Sequence, residues 1–117
     1  MDKYLTAVYQ ITKKGEQKAT TSQIAKELDV SDASATEAIQ KLEKENLVCR
    51  APYKGFTLSP MGKTKAQKLI EKQETVEKYL KQELKVDKPQ QQAQAITPNL
   101  TEQTIQKMKQ KISETSQ

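Results

Sequence analysis

The sequence predicts a mostly α-helical protein carrying one small β-hairpin. Three observations predict it. Between Thr20 and Ser59, two short amphipathic stretches joined by a tight turn run into two short apolar stretches around a second turn. After Ser59-Pro60 comes a long helical pattern with a single apolar seam. Only 34% of the 117 residues are apolar and 30% are charged, so the core is modest and much helix surface must face water or another subunit.

Asp2 to Thr12 is helical by period, with Tyr4, Leu5, Val8 and Ile11 on one stripe. Lys13 to Lys18 contains Gly15 and reads as a polar loop. Thr20 caps the next helix, and Gln23 is placed to close a capping box. Ile24, Ala25 and Leu28 form its buried face, and Asp29-Val30 makes the turn with Val30 inward. Ser31 is the N-cap of the following helix, and Asp32 suits its first turn because the helix dipole favours an acid there. Ala35, Ala38, Ile39 and Leu42 recur at helical spacing. Asn46 follows where a left-handed cap residue is wanted. Leu47 to Ala51 reads as a strand, Pro52-Tyr53-Lys54-Gly55 as a turn, and Phe56 to Leu58 as the return strand.

Ser59 and Pro60 have the residue types of N-cap and first helical position. The helix they start runs to about Leu84. Ala66, Leu69, Ile70, Val76, Leu80 and Leu84 mark its seam, and Gln73 falls inside it. Val86 to Pro89 interrupts the pattern, and the glutamine-rich Gln90 to Gln94 is either a short helix or a loose linker. After the break at Pro98, Thr101 caps a last helix through about Ile112, with Ile105, Met108 and Ile112 on one face. Ser113 to Gln117 are expected to fray. The order is that of a winged helix-turn-helix over residues 1–59, followed by a helical region over 60–117.

In a winged helix-turn-helix the second helix enters the major groove of DNA, and its first turns reach base edges. Here that helix carries Ser31, Asp32, Ala33, Ser34, Thr36, Glu37 and Gln40 away from its apolar stripe. Small residues allow close approach, and the hydroxyls of Ser34 and Thr36 donate or accept. Glu37 only accepts; it suits cytosine N4 and repels phosphate. Phosphate contact falls to Lys41 and Lys44, to Arg50, Tyr53 and Lys54 of the wing, and to Thr20, Thr21 and Ser22 at a helix N-terminus. Lys63, Lys65 and Lys68 extend the basic surface.

Charge alone does not carry this reading. The net charge is +5, yet residues 1–59 hold nine Lys/Arg against eight Asp/Glu, while 60–117 hold eleven against seven. Solvated lysines are common on helix faces, so the weight rests on the combination of paired helices, basic wing tip and small-residue second helix.

Other classes are disfavoured. The chain has no histidine for acid–base work, no phosphate-cradling glycine loop and no activated nucleophile, so an enzyme is not expected. Cys49, the one cysteine, cannot form an internal disulfide. It is read as a small apolar filler of the first wing strand in an intracellular, cytoplasmic protein. Neither a signal peptide nor the roughly 20 apolar residues of a membrane span is evident.

The chain resembles the diphtheria toxin repressor and manganese transport regulator (DtxR/MntR) family. The carrying residues are Tyr4-Leu5 with Tyr9, Ile24-Ala25-Lys26-Glu27-Leu28, Val30-Ser31, Thr36, Lys41-Leu42, Asn46-Leu47-Val48, Tyr53-Lys54-Gly55 and Leu58-Ser59. The resemblance is dense over residues 1–80 and soft beyond Leu84. It implies a homodimeric repressor that reads an inverted-repeat operator in double-stranded DNA, with a helical domain that dimerises and binds Mn²⁺ or Fe²⁺. Apolar helix stripes with few internal partners likewise ask for a second subunit. Leu69, Gln73, Val76, Leu80, Ile105, Met108 and Ile112 are therefore the expected dimer contacts.

The family's metal ligands do not carry over. Its first-helix acids fall on Lys3 and Thr6, its long-helix histidine on Gln73, and its later cluster near Gln94, Thr97 and Pro98. Asp2 and Glu74 lie one residue off, which turns a side chain about 100° around a helix. No metal site and no cofactor are expected. The leading expectation is a homodimeric DNA-binding regulator, a repressor, that works without divalent metal. A protein-interaction module, kept open by Asp32 and Glu37, and a metal-dependent repressor with an atypical site are the alternatives.

Overall fold

The computed structural model describes residues 2–13, 18–50 and 55–115. Helices α1 (Asp2–Lys13), α2 (Thr21–Leu28) and α3 (Asp32–Lys44) lead into strands β1 (Val48–Arg50) and β2 (Phe56–Leu58). Helix α4 (Pro60–Tyr79) continues into π-helical turns over Leu80–Leu84. Helix α5 (Pro89–Ile96), a 3₁₀ turn over Thr97–Asn99 and helix α6 (Glu102–Thr115) follow. The fold is mostly helical with a two-stranded antiparallel hairpin, as the sequence predicts. It divides into two compact units, Met1–Lys68 and Leu69–Gln117, so the division falls inside α4 rather than after Ser59.

In the first unit α1 packs on α2, α3 and β2, α2 packs on α3, and α3 packs on β1. Leu5, Val8, Ile24, Ile39 and Leu42 are each at most 2% exposed. Burying one such side chain stabilises by about 1.5–3 kcal/mol, so these residues set the packing. The α3 stripe of Ala35, Ala38, Ile39 and Leu42 is buried as its spacing predicts. Asn46 takes the left-handed conformation (φ 62°), and Leu47 N–H donates back to Leu42 C=O at 3.0 Å, closing the helix. Leu28 and Val30, expected inward, are only half-buried, because the short α2 ends at the turn between them.

The hairpin pairs Val48 with Leu58, Cys49 with Thr57 and Arg50 with Phe56. On its other edge β2 exchanges two backbone hydrogen bonds with Ala19, of 2.8 and 2.7 Å between Ala19 and Phe56. No sequence pattern foretells this pairing, since one residue shows no period. Gly55 enters β2 at φ +89°, where an added Cβ would lie 2.5 Å from the Ala19 carbonyl oxygen. Cys49 is exposed, not a filler: the pleat turns it outward next to the inward Val48.

The start of α4 belongs to this unit for a specific reason. Ser59 Oγ accepts from Gly62 N–H at 2.9 Å and donates to the Asn46 carbonyl at 2.7 Å, joining the cap of α4 to the end of α3. Gly62 then lies so close to Leu47 that a Cβ would sit 1.9 Å from its carbonyl oxygen. Ala66, one turn on, is fully buried.

In the second unit Val76, Leu80, Ala93 and Ile105 form one buried cluster, with Val86, Leu100 and Met108 packed against it. The glutamine-rich stretch is thus a helix, and Ala93 is the residue it contributes to the core. Lys85, left-handed at φ 53°, ends the π-helical turns with its N–H on Leu80 C=O. A Lys72–Glu102 ion pair and a Thr115–Glu83 hydrogen bond join α6 to the α4 helix and its π-helical end. Helix α6 accordingly runs to Thr115, past the expected fraying point at Ser113.

Gly62→Ala is expected to destabilise by about 1–3 kcal/mol, because the added methyl overpacks against backbone. The neighbouring, exposed Lys63→Ala serves as the control. Urea unfolding checks this; superimposable curves for Gly62→Ala and wild type would contradict the packing described.

Candidate nucleic-acid interface

The α2–α3 turn is built from local hydrogen bonds. Thr20 Oγ1 accepts from Gln23 N–H at 3.2 Å, and Gln23 Oε1 accepts from Thr20 N–H at 2.9 Å, the reciprocal capping box expected. Asp29 takes the left-handed conformation (φ 54°), and Val30 N–H closes the turn on Ala25 C=O at 3.0 Å. Ser31 Oγ accepts from Ser34 N–H at 3.0 Å and donates to Ser34 Oγ at 3.0 Å. Ser31 and Thr20 are therefore engaged as caps, while the Ser34 hydroxyl keeps its own hydrogen to donate.

Helix α3 presents one continuous exposed face. Ser31, Asp32, Ala33, Ser34, Thr36, Glu37, Gln40, Lys41 and Lys44 are all exposed, opposite the buried stripe. Ser22 is exposed, and Thr20 and Thr21 are half-buried. These predicted residues share the first unit. Tyr53 and Lys54, at the predicted wing tip, lie outside the described residues.

Arg50 is exposed, but its guanidinium is engaged. Its Nε donates to Glu43 Oε2 at 3.1 Å, and its guanidinium carbon lies 5.4 Å from the Phe56 ring centroid. Arg50 thus links the wing to α3. Glu43 and Arg50 sit on different elements, and no helical or strand period pairs them.

Lys63, Lys65 and Lys68 are exposed on the first turns of α4. With the unit ending at Lys68, residues 1–68 hold twelve Lys/Arg against eight Asp/Glu, a balance of +4. The unit that carries α3 is therefore basic, which the shorter span to Ser59 concealed. A basic surface favours a polyanion.

The positions where the resemblance would place metal ligands do not fit a divalent cation. Lys3 is exposed, with its ammonium 5.5 Å from the Tyr4 ring centroid. Thr6 Oγ1 donates to the Asp2 and Lys3 carbonyls at 3.2 and 3.1 Å. Gln73 is half-buried, Gln94 is exposed, and the Thr97 hydroxyl donates to the Ala93 carbonyl. Pro98 has no side-chain donor atom. None offers the carboxylate, thiolate or imidazole that Mn²⁺ or Fe²⁺ takes. Among the described residues no three His, Cys, Asp or Glu side chains gather into a possible metal site.

Four of the seven expected dimer contacts are buried within the single chain. Val76, Leu80 and Ile105 are at most 6% exposed within a single chain, and Ile112 is 8% exposed. Met108 packs on their cluster, and Leu69 and Gln73 are half-buried. The seam read as awaiting a second copy is largely filled from within, because α5 supplies Ala93.

Comparison with known proteins agrees with the fold. Residues 1–56 match the family described as iron dependent repressor, N-terminal DNA binding domain. The HTH-type transcriptional regulator MntR of Geobacillus thermodenitrificans is 35% identical over 82 residues, 69% of this chain and 57% of that protein. MntR of Oceanobacillus iheyensis is 36% identical over 81 residues, 68% of this chain and 54% of that protein. The chain thus spans little more than half the length of these curated relatives. Among solved structures, a manganese-dependent transcriptional repressor in complex with manganese superposes with a TM-score of 0.87 at 22% identity, over 96% of this chain and 52% of that one. IdeR of T. acidophilum gives 0.85 at 21% identity, over 96% and 53%. At such identity these structures speak for the fold. With the matched N-terminal domain, the aligned MntR sequences and the shared winged fold together, the chain belongs to the DtxR/MntR family.

Proposed function

We propose that this chain is a sequence-specific DNA-binding transcriptional regulator, a cytoplasmic repressor that acts as a homodimer on an inverted-repeat operator and needs no divalent metal to bind. The observation that carries the proposal is the exposed face of α3, held by its buried stripe and capped turn in a domain matched to a DNA-binding family. Family members are repressors rather than enzymes; they bind operators and typically dimerise.

Small and polar side chains at Ala33, Ser34, Thr36 and Gln40 suit base edges. Lys41 and Lys44, further along, suit phosphate. Support for metal independence comes from the donor set: an ammonium, hydroxyls, amides and a proline stand where the ion would need anionic or imidazole ligands. Support for a dimer comes from the family, and from Leu84 and Ile96, which stay 56% and 37% exposed after the internal seam is filled.

A protein-interaction reading draws on the exposed acids Asp32 and Glu37. Salt dependence separates the two. Each phosphate contact adds about 0.9 to the slope of log affinity against log salt, through released counterions. The DNA reading expects a steep slope, reduced by about 1 in Lys41→Ala and in Lys44→Ala. Arg50→Ala should leave the slope unchanged, because Glu43 already holds that guanidinium. Fluorescence anisotropy on duplexes selected from genomic fragments measures all three; no binding at about 50 mM salt would favour the protein-interaction reading.

Metal independence is measured alongside. In the same titration, affinity should be equal in chelator and in added Mn²⁺, Fe²⁺ or Zn²⁺. Binding that appears only with metal would overturn it.

A further inference from the structure

Rotation of 100° per residue places Ala33, Glu37, Gln40 and Lys44 along the outermost ridge of α3, directly opposite Ala35, Ala38, Ile39 and Leu42. All four ridge residues are exposed. Ala33 leaves room for the helix to approach the groove floor. Glu37 and Gln40 then stand one turn apart, roughly 4.5 Å along the axis. With α3 laid along the groove, that spacing is close to the base step of roughly 3.4 Å, so the two side chains would reach neighbouring base pairs.

Glu37 is an unusual residue for that place. Its negative charge points toward a polyanion, and no ion-pair or hydrogen-bond partner for its side chain is found among the described residues. Glu43 on the same helix is treated differently, since Arg50 neutralises it. An unneutralised carboxylate only accepts hydrogen bonds. Of the major-groove base edges, guanine offers N7 and O6 acceptors, and thymine offers O4 and a methyl group. Adenine offers a donor at N6 beside an acceptor at N7, which repels the second carboxylate oxygen. Cytosine offers the N4 donor with no acceptor beside it. Gln40 has the complementary chemistry: its amide donates to N7 and accepts from N6 of adenine in one planar contact.

We propose that Glu37 specifies a C·G pair in each half-site, by accepting from cytosine N4 and repelling the alternatives, and that Gln40 specifies an A·T pair next to it. This rests on α3 being the reading helix. It adds the identity of the bases read and the principle of selection. Glu37 weakens binding to DNA in general and recovers that loss only where cytosine faces it, so it acts mainly against wrong sites.

Selection of bound duplexes from a random pool tests this, using the full chain as wild type, Glu37→Ala, Glu37→Gln and Gln40→Ala. Both positions are exposed, and matching thermal melts establish that each variant is folded. Wild-type sites are expected to carry one C·G position beside an A·T position in each half. Glu37→Ala should lose about tenfold of the discrimination at the C·G position and bind unrelated DNA more tightly. Glu37→Gln should move that preference to A·T, because an amide matches adenine N6 and N7. Gln40→Ala should relax only the neighbouring position. If the Glu37 variants retain the wild-type preference at every position, the assignment is overturned while the DNA-reading function stands. If the folded wild type enriches no sequence at all, both fall.

Discussion

The burial of Ala35, Ala38, Ile39 and Leu42 is the constraint on which the first unit depends. These side chains fix the rotation of α3 about its axis, since a slip of one residue would turn the stripe about 100°. Small alanines let α3 approach its neighbours closely, and Ile39 and Leu42 supply the apolar area. The turn before the helix is set independently by the left-handed Asp29, the Val30–Ala25 hydrogen bond and the Ser31 cap. Position along the axis and rotation about it are therefore both determined before any ligand arrives. That is the condition for a helix to read a groove rather than merely adhere to it.

The wing is tied to the same reference. Ser59 bonds the end of α3 to the start of α4, Gly62 lies against the Leu47 carbonyl, and Arg50 spans Glu43 and Phe56. An exposed ion pair of this kind contributes about 0–1 kcal/mol to stability, so the value of the Arg50 contact lies in orientation. In the second unit the apolar seam of α4 is satisfied by α5 and α6. The Val76–Leu80–Ile105 cluster is thus covered within the single chain, while Leu84 and Ile96 stay exposed.

Much of this was legible in the sequence because it is local. Caps announce themselves by residue type, and Thr20, Gln23, Ser31, Asn46, Ser59 and Thr101 all occupy cap or helix-end positions. Helical period found the buried faces of α1, α2 and α3. What sequence alone concealed is non-local or carried by single residues: Ala19 pairing with Phe56, Glu43 holding Arg50, and Ala93 plugging a seam from within a polar stretch. Cys49 was misplaced because a three-residue strand offers too little alternation to orient it. The seam residues were assigned to a partner because the glutamine-rich stretch, open between short helix and linker, shows no apolar period to reveal that its Ala93 packs on them. At the interface, the exposed positions of α3 followed from its period, while the basic balance of the unit emerged only once its boundary at Lys68 was known.

Under the function proposed, the outward face of α3 meets duplex DNA with no metal ion present. Amide chemical-shift mapping of the nitrogen-labelled chain with a selected duplex, in chelator-treated buffer, is the decisive measurement. The largest shifts are expected between Ser31 and Lys44, centred on Ala33, Thr36, Glu37 and Gln40. Shifts confined to Leu69–Thr115, or no shifts until manganese is added, would contradict it.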